Sequence, residues 1–313
     1  MDLIADIGGT HSRCALIDSE GRLVAVESYE NRDFDGVRAV LEHYIAQRRE
    51  TDRPHAAAIA IAGPIVGDRV AMTNLPWRFS QSDLREALKL QRLTVINDFA
   101  AVAWSLPLLT RTQLQPVGGG QAAPREPLAV LGPGSGLGVT VLIPVADNWT
   151  VLSGEGGNVA VATTTAAEAA VVATLRDADG YCAAETLVSG PGLTRIYAIL
   201  AAQAGQNAPA LTPAAVSAAA ERGDSLAVEA RSMFFGMLGS LAGDIALTAG
   251  ARGGVFIAGG IVPRMLTSFA NSAFRERFEA KGRYRSYLAA IPTCVITAKT
   301  PALTGLRKVL GYP

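Results

Sequence analysis

Asp6, two residues before Gly8-Gly9-Thr10 and near the end of the apolar run 3–7, is the first place where this chain could do chemistry. Glycines let backbone N–H groups approach an anion closely, so the turn could cradle phosphate oxygens beside a carboxylate. It could equally be an ordinary hairpin with Asp6 satisfied by turn amides. A second glycine turn, Gly132-Pro133-Gly134-Ser135-Gly136-Leu137-Gly138, separates two further apolar runs. No Gly-Lys-Ser/Thr follows it, so it is not a P-loop. Its glycines alternate instead of following G-x-G-x-x-G, and an apolar strand comes next, which excludes the dinucleotide fingerprint although Glu155 follows at about the distance of a ribose-binding acid.

Asn97-Asp98 ends a third apolar run and opens a helical stretch. Asp98 is either the helix N-cap or a carboxylate placed at a cleft, where it could take a proton from a substrate hydroxyl. Gly154-Glu155-Gly156-Gly157-Asn158 sets an acid and an amide among glycines, a poor arrangement for a packed core and a good one for a polyol. Glu185, just before Ser189-Gly190-Pro191-Gly192, reads as a second hydroxyl-binding carboxylate or as a surface acid. Gly118-Gly119-Gly120 reads as a flexible turn.

The elements that must carry these residues alternate between β and α. Runs 3–7, 13–17 and 23–29 form a meander, a helix is expected over 34–49, and buried strands are expected over 56–62 and 93–96. A short helix over 82–88 has Ser80 or Ser82 as its cap, and residues 99–106 continue as helix. The Gly-, Gln- and Pro-rich stretch 107–127 reads as a boundary or surface hairpin. Strand, glycine turn and strand then recur over 128–145, so two parts of the chain follow one plan. Helices follow over 165–176, 192–204 and 225–249, then a strand over 253–257 that enters Gly259-Gly260, and a final helix near 303–310.

With 313 residues and 49% apolar composition, the chain is long enough for about two domains with substantial cores. Lys+Arg and Asp+Glu are both 28, so no basic excess favours nucleic acid or an anionic membrane surface. Cys14, Cys182 and Cys294 lack C-x-x-C spacing and fit reduced thiols in a cytoplasm. No basic segment precedes an apolar stretch at the N-terminus, so no secretory signal is expected.

Together the motifs ADIGGTHSR at 5–13, AIAGPIVGDRVAMTNLPW at 60–77, INDFAAVAWSLP at 96–107, LGPGSGLGV at 131–139, GEGG at 154–157, ETLVSGPGL at 185–193 and GGVFIAGGIVPR at 253–264 resemble the bacterial glucokinase family. That resemblance, within the sugar kinases and actin-like ATPases, implies an α/β, two-domain actin-like ATPase (ribonuclease H-like) fold with an interdomain active-site cleft. It divides the chain into a small α/β domain of 1–106 plus 299–313 and a large one of 107–298. It implies transfer of the γ-phosphoryl group of ATP to the 6-hydroxyl of glucose, Mg²⁺ as the accompanying metal, and a cytoplasmic homodimer joined through the larger domain. By motif, Asp98 is the general base, and Asn97, Glu155, Glu185, Asn158 and Asn74 line the sugar site. Gly8, Gly9 and Thr10 cradle phosphates, Gly134, Ser135 and Gly136 close over them, Gly259 and Gly260 lie beside adenosine, and Asp6 acts at the magnesium through water.

The chain departs from the family where His usually follows the Glu-Gly-Gly motif, since it carries Asn158 and then Val159-Ala160. Asn is shorter than imidazole and carries no titratable charge, which implies a weaker or altered hexose preference. The alternatives are therefore a kinase for another hexose or amino sugar, or a sugar sensor with little catalysis. The ending TPALTGLRKVL is shorter and poorer in glycine than is usual in the family, and the absence of paired cysteines excludes the related zinc-bearing branch.

Overall fold

The computed structural model describes residues 1–207 and 209–312; Pro313, which falls in the expected small domain, lies outside the described residues, as does Ala208. The chain forms two compact units, residues 1–110 with 298–313 and residues 111–297.

In the first unit, β1 (Asp2–Ile7), β2 (His11–Ile17) and β3 (Leu23–Glu30) make the expected meander. The helix α1 (Val37–Ala46) is shorter than the expected 34–49 because Phe34 and Gly36 are both extended, so helical dihedrals begin only at Val37. Its buried residues Val37, Val40, Leu41 and Tyr44 keep the spacing of one helical face. Then follow β4 (Ala56–Ile61), β5 (Arg69–Ala71), β6 (Arg78–Ser80), α2 (Gln81–Ala87), β7 (Arg92–Asn97) and α3 (Asp98–Ser105). Ser80 caps α2, accepting from the Asp83 N–H at 3.1 Å. The sheet order is β3-β2-β1-β4-β7, with β1, β4 and β7 parallel. Every residue of β4 is buried, as a central strand covered on both faces requires.

The second unit opens with β8 (Leu114–Pro116), which pairs antiparallel with a distant strand; the stretch 107–127 is not a hairpin. Gly118 and Gly120 do turn the chain with positive φ. Next come β9 (Leu128–Pro133), β10 (Leu137–Val145), β11 (Asn148–Ser153), α4 (Ala166–Ala173), α5 (Ala184–Leu187), α6 (Gly190–Gln203), α7 (Pro213–Glu221) and α8 (Ser225–Ala249). The chain continues through β12 (Gly254–Ile257), α9 (Leu266–Ala270), α10 (Phe274–Glu279), α11 (Arg285–Ala289) and β13 (Thr293–Ile296); α12 (Pro301–Val309) returns to the first unit.

The second sheet runs β11-β10-β9-β12-β13-β8. Its first five strands repeat the plan of the first sheet, with an antiparallel meander on one side and parallel strands on the other. The repeated strand plan read from residues 3–17 and 128–145 therefore extends to five strands of each sheet. The 25-residue α8 has the length and hydropathy of a membrane span, but 67% of its apolar window is buried. It serves as the core helix of its unit, with Phe234, Phe235 and Leu238 fully enclosed.

Candidate active site

In parallel sheets, ligands gather beyond the carboxyl ends of the strands. In the first unit those ends are Asp6 to Gly8 after β1, Gly63 after β4 and Asn97-Asp98 at β7. The parallel register pairs Asp6 with Ala60 and Ile61 with Asn97, so the three ends lie side by side. Asn97, not Asp98, is the N-cap of α3: its Oδ1 accepts from the Phe99 and Ala100 N–H groups at 2.9 and 3.3 Å. Its Nδ2 donates to the Gly63 carbonyl at 3.2 Å, tying the ends of β4 and β7 together. Asp98 is thus the first helical residue, and its Oδ1 accepts from Phe99 N–H at 2.9 Å. The capping alternative for Asp98 is removed because its neighbour already caps the helix.

The first glycine turn is held from below. Gly8 N–H donates to the His11 carbonyl at 3.0 Å, and Asn31 Nδ2 donates to the Gly8 carbonyl at 2.8 Å. Buried Ser12 donates to Asn31 Oδ1 at 2.6 Å, a structural role for that serine. Asn74 lies against the turn, its Cβ close to where a side chain on Gly9 would stand. Asp6 is partly buried, and burial raises its carboxyl pKa; Arg13, 3.9 Å away, opposes that shift.

The second unit assembles another group. Gly134, Ser135 and Gly136 form the turn between β9 and β10, and Gly134 N–H donates to the Gly136 carbonyl at 2.8 Å. Gly259, at φ +83°, fits against Pro133 of the same turn, where a side chain would strike the Pro133 carbonyl. The loop with Glu155 and Asn158 packs on the start of β10, because Gly156 and Gly157 have no side chains to strike Val139 and Leu137. Two ladder bonds of 2.9 Å, Val161 N–H to Cys182 carbonyl and Ala184 N–H to Val159 carbonyl, bring the Glu185 segment beside this loop. Tyr181 donates its hydroxyl to the Asn158 carbonyl, and the Glu155 and Asn158 side chains remain exposed.

The residues expected from sequence thus fall into two groups. One holds Asp6, Gly8, Gly9, Thr10, Asn74, Asn97 and Asp98; the other holds Gly134, Ser135, Gly136, Glu155, Asn158, Glu185, Gly259 and Gly260. Sequence reasoning missed Asn31, Gly63 and Tyr181. Asn31 sits outside any glycine motif, and the pairing of His11 with Glu30, together with the bond from Asn31 N–H to the Thr10 carbonyl at 2.9 Å, brings it to the turn.

Comparison with known proteins identifies the family. The family model described as Glucokinase matches residues 3–311. A glucokinase of Paramagnetospirillum magneticum is 46% identical over 100% of this chain and 98% of its own length. The crystal structure of a glucokinase from an Antarctic psychrotroph is 37% identical, covers 98% of both chains and superposes with a TM-score of 0.87. A ROK family glucokinase from Streptomyces griseus, solved with glucose and AMPPNP, shares the fold at 18% identity and a TM-score of 0.68 over 98% of both chains. The chain belongs to the glucokinase family, phosphotransferases of actin-like ATPase fold that act on a sugar hydroxyl.

Proposed function

We propose that this chain transfers the γ-phosphoryl group of ATP to the 6-hydroxyl of glucose, with Asp98 as general base. The observation that carries the reading is the placement of Asp98 at the carboxyl end of β7, fixed by its own helix and by Asn97, in line with the glycine turn after β1. The sugar oxygen forms a bond to the γ-phosphorus while the bond to the β,γ-bridging oxygen breaks. The hydroxyl proton passes to Asp98, and ADP leaves with the bridging oxygen. The protein's share is positioning and charge stabilisation.

The proposed roles divide by unit. In the first, Gly8, Gly9 and Thr10 offer backbone donors to phosphate, and Asn97 and Asn74 complete the polar surface beside Asp98. In the second, Glu155, Glu185 and Asn158 bind sugar hydroxyls, Gly134, Ser135 and Gly136 meet phosphate, and Gly259 and Gly260 leave room for adenosine. Carboxylates suit this task because each accepts several hydroxyl hydrogen bonds. Among the described residues no cluster of three or more His, Cys, Asp or Glu could hold a metal ion. A lone carboxylate does fit a Mg²⁺ that arrives on ATP phosphates and keeps most of its water, so Asp6 would hold it through water and the ion would neutralise phosphate charge. The same reading makes the enzyme a cytoplasmic homodimer joined through its second unit.

ADP release with a panel of hexoses tests the proposal. Glucose should support turnover, and Asp98→Asn should lower kcat by about 10²-fold or more while the fold is kept. Hexose binding without ADP release from the native chain would overturn it in favour of a sugar sensor.

A further inference from the structure

Glu185 touches a part of the second unit that sugar binding alone does not explain. Its Oε2 accepts a hydrogen bond from the backbone N–H of Leu137 at 2.6 Å, a short, charge-assisted contact between residues 48 positions apart. Leu137 closes the turn of Gly134, Ser135 and Gly136 and opens β10. The carboxylate lies so close over Gly136 that any side chain there would strike it. A second bond joins the same two segments, since Gly190 N–H donates to the Gly134 carbonyl at 2.8 Å. One end of the turn is therefore held by backbone and the other by a side chain. Glu185 Oε1 has no hydrogen-bond partner among the described residues.

We propose that Glu185 positions the nucleotide as well as binding sugar: Oε2 fixes the Leu137 amide and with it the shape of the phosphate turn, while Oε1 is kept for a sugar hydroxyl. The inference rests on the kinase reading above, in which this turn meets the ATP phosphates. Backbone donors stabilise an anion only when they already point at it, so a turn left loose at Leu137 binds phosphate less well. A carboxylate that served sugar alone would leave the turn unchanged when removed.

Calorimetric titration of the full chain with ADP and Mg²⁺, in the absence of sugar, reads the turn by itself, and titration with glucose reads the sugar role. Glu185→Ala should weaken ADP binding about tenfold, the size of one hydrogen bond to a charged group. Glu185→Gln keeps an acceptor oxygen at the same reach but loses the charge that strengthens the bond, so its ADP affinity should fall between native and Ala, while both variants lose about tenfold or more in glucose affinity. Should the Ala variant not fold, Glu185→Asp replaces it: the charge is kept, the reach is one methylene short, and ADP binding should fall as for Ala. Native ADP affinity in the Ala or Asp variant, with glucose binding alone reduced, would overturn the inference and leave the kinase reading intact. A Gln variant as weak for ADP as Ala would also overturn it. A native chain that bound neither ADP nor glucose would remove both.

Discussion

Asn31 donates its Nδ2 to the Gly8 carbonyl at 2.8 Å and, through Oδ1, accepts from the Ser12 hydroxyl at 2.6 Å. The side chain is buried, and so is Ser12, so these bonds form where water cannot replace them. The amide thus clamps both ends of the first glycine turn.

Asn31→Ala should therefore cost about 1–3 kcal/mol of stability, the penalty for leaving buried polar groups without partners. The turn should also lose its shape, so the KM for ATP should rise about tenfold while that for glucose changes little. Thermal unfolding and steady-state kinetics check the two parts separately. An unchanged KM for ATP would show that the turn holds its geometry without Asn31.

Arg13 offsets part of the effect of burial on Asp6. Burial raises the Asp6 carboxyl pKa, and the guanidinium 3.9 Å away opposes the shift, so removing it lets burial act alone. In Arg13→Gln the carboxylate would take up its proton at higher pH than in the native chain. The acidic limb of kcat/KM for Mg-ATP should then move to higher pH, and Arg13→Lys should restore it. Arg13 is 45% exposed, so added salt should narrow the difference. Superimposable pH profiles for native and Arg13→Gln would separate Asp6 from the metal role.

What could be read from the sequence was where apolar runs stop at chemistry. Runs that stop beside Asp6, Asn97 and Gly132 became β1, β7 and β9, their ends marked by glycine or a polar residue, but the buried strand expected over 93–96 is only partly covered, with Val95 its one buried residue. The three-residue β8 was hidden, since Leu114–Pro116 sits in a stretch rich in Gln and Pro and is defined only by pairing with β13. Side-chain tethers were equally hidden. Glu185 reads as a sugar ligand from its motif, but its bond to Leu137 spans 48 residues, and the Glu168–Arg277 bonds span 109. Such contacts are properties of the packed unit, and no local pattern announces them.

Asn158 stands exposed after the Glu155 loop, with its backbone carbonyl already engaged by Tyr181. Its side chain is therefore the free variable at this position. Asn158→His would add ring surface and a second donor geometry, and should change the ratio of kcat/KM for glucose to that for mannose, glucosamine or fructose by about tenfold, the worth of one good hydrogen bond. Equal ratios in the two proteins would show that Asn158 does not set hexose preference.

Glu168 joins the segment that follows the Glu155–Asn158 loop to the core of its unit. It completes a capping box with Thr165 at the start of α4 and accepts from Thr164 N–H at 2.7 Å, while Arg277 grips both carboxylate oxygens at 2.7 and 3.2 Å. Arg277 in turn donates to Ser240 on α8 at 3.0 Å. Burial pushes the Glu168 pKa up, but the Arg277 bonds and the Thr164 and Thr165 amides outweigh it, and the net shift is downward. A carboxyl whose folded pKa lies below its unfolded value of about 4.3 contributes stability that is complete above that pH and is lost as pH falls through the folded pKa. Thermal stability of the native chain should thus drop on acidification below about pH 4.3, and Glu168→Gln should lack this part of the drop. Arg277→Met leaves a carboxylate that is only 3% exposed without its cation, which should cost about 3–5 kcal/mol at neutral pH. For a unit of this size that lowers Tm by on the order of 10 °C. An Arg277→Met protein as stable as native at pH 7 would show that the Thr164 and Thr165 amides alone suffice to hold the buried charge.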